Sequence, residues 1–323
     1  MDLSLVISLY NEEASIGELV DWIGRALAGE KSPAGGPLSY EIILVDDGST
    51  DGSWKVITDL AAVHPEIRAV RFRRNYGKSA ALYEGFDAAR GDIVVTLDAD
   101  LQDNPEEIPE MMRMIREEGY DLVSGWKKKR YDGKLSKNIP SKIYNWTARK
   151  VTGLSLHDMN CGLKAYRRDV VKNIEVYGEM HRYIPFLAKN AGFGKIGEKV
   201  VHHQARKYGT TKFGLDRFVN GYLDLMSLWF LNRFGKQPMH FFGLWGSVMF
   251  VLCFIAIIVI GASKLYAISH GIRASLITDN PYFYLALTGM LMGTLMFLAG
   301  FLAELVSRSS QNRNDYKIEK ELK

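Results

Sequence analysis

Cysteine is nearly absent: Cys161 and Cys253 are the only two in 323 residues, and Cys253 lies inside an apolar run. Two thiols so far apart assemble neither a disulfide framework nor a four-ligand zinc site, and they fit a reducing compartment. A charge surplus is lacking too. The 41 Lys and Arg against 37 Asp and Glu leave a formal net charge of +4, too mild to mark a nucleic-acid binder. No secretory leader is expected, because Asp2 and the Asn11-Glu12-Glu13 run interrupt the first apolar stretch. The overall composition argues against disorder.

Two long stretches lack charge almost entirely. Met239 to Ala262 carries no Asp, Glu, Lys or Arg, and Tyr282 to Val306 carries only Glu304. At roughly 1.5 Å per helical residue, each can cross a hydrocarbon core about 30 Å thick. Arg233 and Lys236 precede the first run, and Arg308, Arg313, Lys317, Lys320 and Lys323 follow the second. Basic flanks on both outer ends predict a two-helix hairpin with both ends cytoplasmic. The expected division is a cytoplasmic catalytic domain over 1–212, amphipathic interfacial helices over 213–238, a transmembrane hairpin over 239–306 and a basic cytoplasmic tail over 307–323.

The N-terminal two-thirds alternates. Leu3 to Leu9 is a continuous apolar run suited to a strand buried on both faces. Helical spacing follows at Ile16, Leu19, Val20, Ile23 and Leu27. Strands are then predicted at Glu41 to Val45, Ile67 to Phe72, Ile93 to Leu97 and Asp121 to Ser124. Helices are predicted up to about His64, from Lys78 to Ala89 and from Pro105 to Glu118. This order implies an α/β fold with a mainly parallel sheet covered on both faces. Ligands of such sheets bind beyond the carboxyl ends of the strands, where the acidic clusters fall.

Asp98 and Asp100 stand two residues apart just past a buried strand, so both carboxylates can face one side. Oxygen ligands of this kind suit a hard divalent cation, Mg²⁺ or Mn²⁺, with substrate phosphates completing its shell. Gln102 and Asp103 follow within reach. Such an ion would neutralise a diphosphate leaving group as its bond to a sugar breaks. Asp46 and Asp47 at the neighbouring strand end strengthen the reading, since the two clusters together can hold a nucleoside and its phosphates.

Four motifs in order, Val6-Ile7-Ser8-Leu9-Tyr10-Asn11-Glu12, Val45-Asp46-Asp47-Gly48-Ser49-Thr50-Asp51, Arg74-Asn75-Tyr76-Gly77-Lys78 and Leu97-Asp98-Ala99-Asp100-Leu101-Gln102-Asp103, resemble the family 2 glycosyltransferases of the GT-A fold. Asp158 to Lys164, His181 to Pro185 and Arg206 to Lys212 extend the match. With the two apolar runs, the chain is similar over nearly its whole length to the polyprenyl-phosphate glycosyltransferases, relatives of dolichol-phosphate mannose synthase and bactoprenol glucosyltransferases. Ser8 and Asn104 stand where that family usually has proline. The resemblance implies inverting transfer of one sugar from a nucleotide sugar, UDP-linked in preference to GDP-linked, to undecaprenyl or dolichyl phosphate at the inner membrane. It implies that Tyr10, Glu12 and one or both of Asp46 and Asp47 hold the nucleoside, and that Asp98, Asp100 and Gln102 bind metal and diphosphate. Asp158 matches the family's candidate base. A lipid phosphate is already largely anionic at neutral pH, so Asp158 is expected to orient the acceptor more than to remove a proton. A homo-oligomer packed through the spans is also implied.

Basic residues complete the expected acceptor site. Arg206 and Lys212 match a family motif and suit phosphate. The Lys127-Lys128-Lys129-Arg130 run fits either phosphate binding or a solvated face attracted to anionic lipid. Phe218, Tyr222, Leu225, Met226, Trp229 and Phe230, with Arg217 and Arg233, predict an amphipathic interfacial helix. Other patterns are set aside. Gly192 to Gly197 spells G-x-G-x-x-G but leads into a strand, the wrong order for a dinucleotide fingerprint. The Gly24 to Ser32 stretch has Glu30 where a P-loop needs continuity. His202 and His203 would point to opposite strand faces, and His157 and His181 read as structural. Two other functions compete: a membrane polysaccharide synthase, which usually carries Gln-x-x-Arg-Trp and more spans, and a non-catalytic nucleotide-sugar binder, which would not need Asp100 and Asp158 together.

Overall fold

The computed structural model describes residues 1–128, 149, 152–205, 207–208, 223, 226–227, 229–230, 233–235, 237–272 and 275–309. The chain divides into two units, Met1–Leu225 and Met226–Lys323.

In the first unit, β1 (Leu3–Leu9), β2 (Tyr40–Asp46), β3 (Ile67–Arg71) and β4 (Ile93–Asp98) run parallel. They alternate with α1 (Ile16–Leu27), α2 (Ser53–Val63) and α3 (Lys78–Ala88). Beyond β4 come α4 (Ile108–Arg116), β5 (Leu122–Trp126), β6 (Lys164–Arg167), α5 (Arg168–Asn173), α6 (Ile184–Asn190) and β7 (Ile196–Val200). The sheet order is β3-β2-β1-β4-β6-β5-β7. Within this sheet β6 departs from parallel pairing, running antiparallel to both β4 and β5. The predicted helix from Pro105 begins instead as a single 3₁₀ turn, Pro105–Glu107, whose Glu106 amide donates to the Asn104 side chain.

Alternation along β1 explains the two cores. Leu3, Leu5, Ile7 and Leu9 face the apolar stripe of α1, with Ile16, Leu19, Val20 and Ile23. Val6 faces the other way, onto Ala81, Leu82 and Phe86 of α3. That helix lies so close that a Cβ at Gly85 would collide with the Val6 side chain. Both faces of the central strands are therefore dry, as an unbroken apolar run requires.

The amino end of the sheet is tied by one buried carboxylate. Glu41 accepts from Ser4 Oγ at 2.7 Å, the Arg90 amide at 2.9 Å and Arg68 at 2.8 Å. It thereby joins β1, β2, β3 and the entry to β4.

The second unit is a helical hairpin of α7 (Pro238–Ser269) and α8 (Pro281–Ser309). Both are long and apolar enough to cross a membrane, with mean hydropathy of 2.6 and 2.0 in their most apolar windows. Only 11% and 17% of those windows is buried within the chain, so the apolar surface faces outward, unlike that of a soluble core helix. The helices meet at glycines: a Cβ on Gly246 would stand 2.6 Å from the Gly293 carbonyl, and one on Gly293 2.7 Å from that of Gly246. Small residues that let backbones touch are the usual contact of helices in lipid. Phe230 and Phe234 pack with Phe241 at ring separations of 5.6 and 4.9 Å at the start of the hairpin. Most of the predicted interfacial helix, and the basic tail from residue 310, lie outside the described residues.

Burial works to raise the Glu41 pKa, but the bonds from Ser4, Arg68 and the Arg90 amide outweigh it and hold the carboxyl below its ordinary 4.5. A depressed folded-state pKa contributes stability that is complete above the unfolded value and lost as pH falls through the folded one. Glu41→Gln is therefore expected to cost about 1–3 kcal/mol at pH 7. Thermal unfolding of the detergent-solubilised chain should show the deficit narrowing as pH drops below about 4.5.

Candidate active site

The chain builds β1, β2 and β3 outward in one direction, then returns to place β4 on the other side of β1. This reversal opens a crevice at the carboxyl ends of β1 and β4. Register brings the acidic ends level, because Leu9 pairs with Asp46 and Ser8 with Asp98. Two non-glycine residues adopt positive φ among the described residues, and each lies between two residues that line this crevice: Asn11 at 56° and Leu101 at 59°. Backbone held in such sparsely populated regions clusters at functional sites.

The loop after β1 is locked onto the loop after β2. The Asn11 amide donates to Ser49 Oγ at 2.9 Å, and Asn11 Oδ1 accepts from the Thr50 amide at 2.8 Å. Glu12 accepts from Ser15 Oγ at 3.1 Å. Tyr10, 36% exposed, and Glu12 both line a cavity of about 440 Å³.

Asp46 and Asp47 have separated. Asp46 is fully buried, accepts from the Ser49 amide at 2.8 Å, and lies 3.3 Å from Arg71 Nε. It is not among the residues lining the cavity. Asp47 is on the cavity wall, and its two oxygens accept from the Tyr76 amide at 2.7 Å and the Gly77 amide at 2.9 Å. Burial pushes its carboxyl up, the two amides oppose that, and the Asp46 charge adds to the rise. Gly48 is required between these loops. Its φ is 73°, and a Cβ there would meet the Arg74–Asn75 backbone.

Asp98, Asp100 and Gln102 all line the same cavity. Asp100 accepts from the Gln102 amide at 3.2 Å, and Gln102 Nε2 donates to the Gln204 carbonyl at 3.4 Å. Lys78 Nζ donates to Asp98 Oδ1. A Cβ at position 162 would stand 2.5 Å from Asp98 Oδ2, so Gly162 makes room for this carboxylate. Burial would raise the Asp98 pKa, but the charges of Lys78, Lys127 and Lys164 prevail and hold it well below the usual carboxylate range. Lys127 reaches the cavity while paired with Asp103 at 2.6 Å. Lys164, beneath Asp98, is itself buried, donates to the Cys161 carbonyl and has its pKa lowered chiefly by that burial. The Cys161 thiol is buried, and that burial pushes it up to about 12, with Asp103 adding to the rise.

Asp158 is 2% exposed, accepts from the Asn160 amide at 3.2 Å, and is not a cavity-lining residue, whereas Asn160 is. Glu198 fixes this segment by accepting from the His157 amide at 2.8 Å, the Asp158 amide at 3.0 Å and His157 Nδ1 at 2.7 Å. Arg130, Arg206 and Lys212 lie outside the described residues. His181, read as structural, also stands at the site. It faces the cavity while its ring and amide meet Ser79 Oγ, each at 3.1 Å. Lys78 and Asn75, both in the Arg74-Asn75-Tyr76-Gly77-Lys78 motif, line the cavity without a role assigned from sequence. Their basic and amide side chains were the available signal.

Among the described residues no three His, Cys, Asp or Glu side chains group as a ready metal site. Asp98 and Asp100 supply two oxygen donors, which fits a hard divalent cation that takes its remaining oxygens from ligand phosphates and water.

Removing the Asp47 carboxylate should free two amides at once. Asp47→Ala is expected to speed hydrogen exchange across 74–78 while exchange in β1 and β4 stays slow. Unchanged exchange at Tyr76 and Gly77 would contradict the clamp.

The model of glycosyl transferase family 2 matches residues 4–175. The chain is 36% identical over 313 residues to the dodecaprenyl-phosphate galacturonate synthase of Rhizobium johnstonii, covering 96% of this chain and 88% of the relative. It is 34% identical over 307 residues to the undecaprenyl-phosphate 4-deoxy-4-formamido-L-arabinose transferase of Aeromonas hydrophila, covering 95% and 88%. Among solved structures, the glucosyl-3-phosphoglycerate synthase of Mycobacterium tuberculosis bound to UDP superposes with a TM-score of 0.53 at 20% identity, covering 72% of this chain and 79% of that one. The same enzyme with Mn²⁺, UDP-glucose and glycerol 3-phosphate gives 0.50 at 22%, with the same coverage. These structural likenesses speak for the GT-A fold, and the sequence matches carry the family. The chain belongs to glycosyl transferase family 2.

Proposed function

We propose that this glycosyltransferase moves a single sugar from a nucleotide diphosphate sugar to a polyprenyl phosphate, with inversion at the anomeric carbon. The observation that carries the reading is the crevice at the β1–β4 reversal, where Asp98 and Asp100 share one cavity with Lys78 and Lys127. Relatives named for dodecaprenyl- and undecaprenyl-phosphate products, matched over most of their length, supply the acceptor class. Two helices able to cross a membrane suit a lipid substrate.

In this reading Tyr10, Glu12 and Asp47 contact the nucleoside. Asp46 acts through the loop it holds, by way of Ser49 and Arg71. Asp98, Asp100 and Gln102 hold Mg²⁺ or Mn²⁺, which supplies charge neutralisation for the departing diphosphate when bound. Lys127 adds a fixed positive charge on the same wall, and its amine is kept protonated because Asp103 and Asp98 outweigh the burial that would lower its pKa. A phosphate acceptor is already anionic, so no strong base is needed. Asp158, held by Glu198 and leading into Asn160 at the cavity, orients that acceptor. Arg130, Arg206 and Lys212 are its proposed phosphate ligands. The catalytic unit is cytoplasmic at the inner membrane, the donor is UDP-linked, and copies of the chain associate through their spans.

Purified protein with Mg²⁺ or Mn²⁺ should transfer labelled sugar from one of a panel of UDP- and GDP-sugars to undecaprenyl phosphate. Asp100→Asn is expected to lower the rate about 10²–10³-fold, the scale of losing one electrostatic group at a reacting centre, with its melting temperature retained. Full transfer by that variant, or by enzyme in excess chelator, rules out the metal role.

A further inference from the structure

Lys78 and Asp98 form an ion pair on the wall of the cavity, and the bond between them has a consequence for the metal that Asp98 is proposed to hold. Lys78 opens α3 after a glycine with φ of 95°, and Asp98 closes β4. The carboxylate has little freedom. Its Oδ1 accepts from Lys78, and Gly162 backs its Oδ2 so closely that a Cβ there would stand 2.5 Å away. A hard divalent ion needs lone pairs of this same carboxylate, and an ammonium bound to it repels such an ion. The ammonium on Asp98 therefore opposes metal entry, and releasing it removes that opposition.

The local charges say when that exchange is favourable. Lys127 is engaged by Asp103, whereas Lys78 is held by Asp98 itself. A divalent ion alone would bring two positive charges up to an ammonium, and a diphosphate alone would face two carboxylates. Arriving together, each offsets much of the charge that opposes the other. The ammonium sits on a flexible four-carbon stem, so it can leave Asp98 and stay in the cavity as a point charge on phosphate.

We infer that Lys78 is an exchangeable cation that occupies Asp98 until a nucleoside diphosphate draws it away, so that metal and diphosphate enter as a linked pair. The inference rests on the assignment of Asp98 and Asp100 as metal ligands. By linkage, each partner raises the affinity of the other by the same factor, and Lys78 is the positioning residue that sets it.

The test uses the full chain in detergent and reads free Mn²⁺ by electron paramagnetic resonance, with and without saturating UDP or GDP. Native protein should bind Mn²⁺ weakly alone and at least about tenfold more tightly with the diphosphate, within the range of ordinary coupling. Lys78→Met, similar in length but uncharged, should bind Mn²⁺ alone at least about tenfold more tightly than native protein, and the diphosphate should then add less than about threefold. Lys78→Arg should keep the native coupling. If Lys78→Met does not melt as a folded protein, Lys78→Gln replaces it with the same expectations. A neutral variant that binds Mn²⁺ no more tightly than native, or that keeps native coupling, overturns the inference. Asp98→Asn separates the two possible failures. Mn²⁺ binding that survives this change overturns the metal-ligand assignment itself. Binding that is lost with Asp98→Asn but unchanged in Lys78→Met overturns only the exchange.

Discussion

Parallel register forces negative charges together at one edge of the sheet. Asp46 and Asp98 end strands on either side of β1 at nearly the same level, and Asp47, Asp100 and Asp103 follow them. Like charges held so close in a half-dry crevice repel unless each finds a partner. Their partners are backbone amides, an arginine and two lysines. Arg71 and a backbone amide take Asp46, two backbone amides take Asp47, Lys78 takes Asp98 and Lys127 takes Asp103. Much of the surrounding architecture is the means of delivering those partners.

The loops bear the conformational cost. Gly48 and Gly77 take positive φ where other residues would be strained, and Asn11 and Leu101 take it despite having side chains. Asn11 offsets the cost with its hydrogen bond to Thr50, and Leu101 by burying its side chain in the core below the crevice. Strain held by well-packed surroundings keeps a site in place before its ligand arrives. Pre-organisation of this kind matters most when catalysis depends on positioned charge.

The hairpin of α7 and α8 follows a different rule. With lipid tails as apolar as the side chains, hydrophobic burial cannot hold two helices together. Contact is made instead at Gly246 and Gly293, where backbone meets backbone, and large side chains such as Leu252 and Leu302 are left facing outward. The catalytic unit hides its leucines and the hairpin displays them, because their surroundings differ.

The strands, the helices and the two spans were legible in the chain because each carries its own period or length: the unbroken run of β1, the 3.6-residue spacing of α1, the charge gap from Met239 to Ala262. The acidic cluster was legible too, since Asp98 and Asp100 are local in sequence. Short β6 was not. Four residues carry no usable period, and its antiparallel pairing with Val94 and Val95 is made across some seventy positions. Nor could the sequence separate Asp46 from Asp47, because adjacent side chains diverge and what each meets depends on Arg71 and Tyr76 from other elements. The sequence by itself determined the layered sheet, the hairpin and the edge at which charge collects. Only the tertiary structure decided which carboxylates line the cavity, and that Lys78, His181 and Gly162 stand beside them, because those contacts join segments whose separation in the chain contains no signal of their meeting in space.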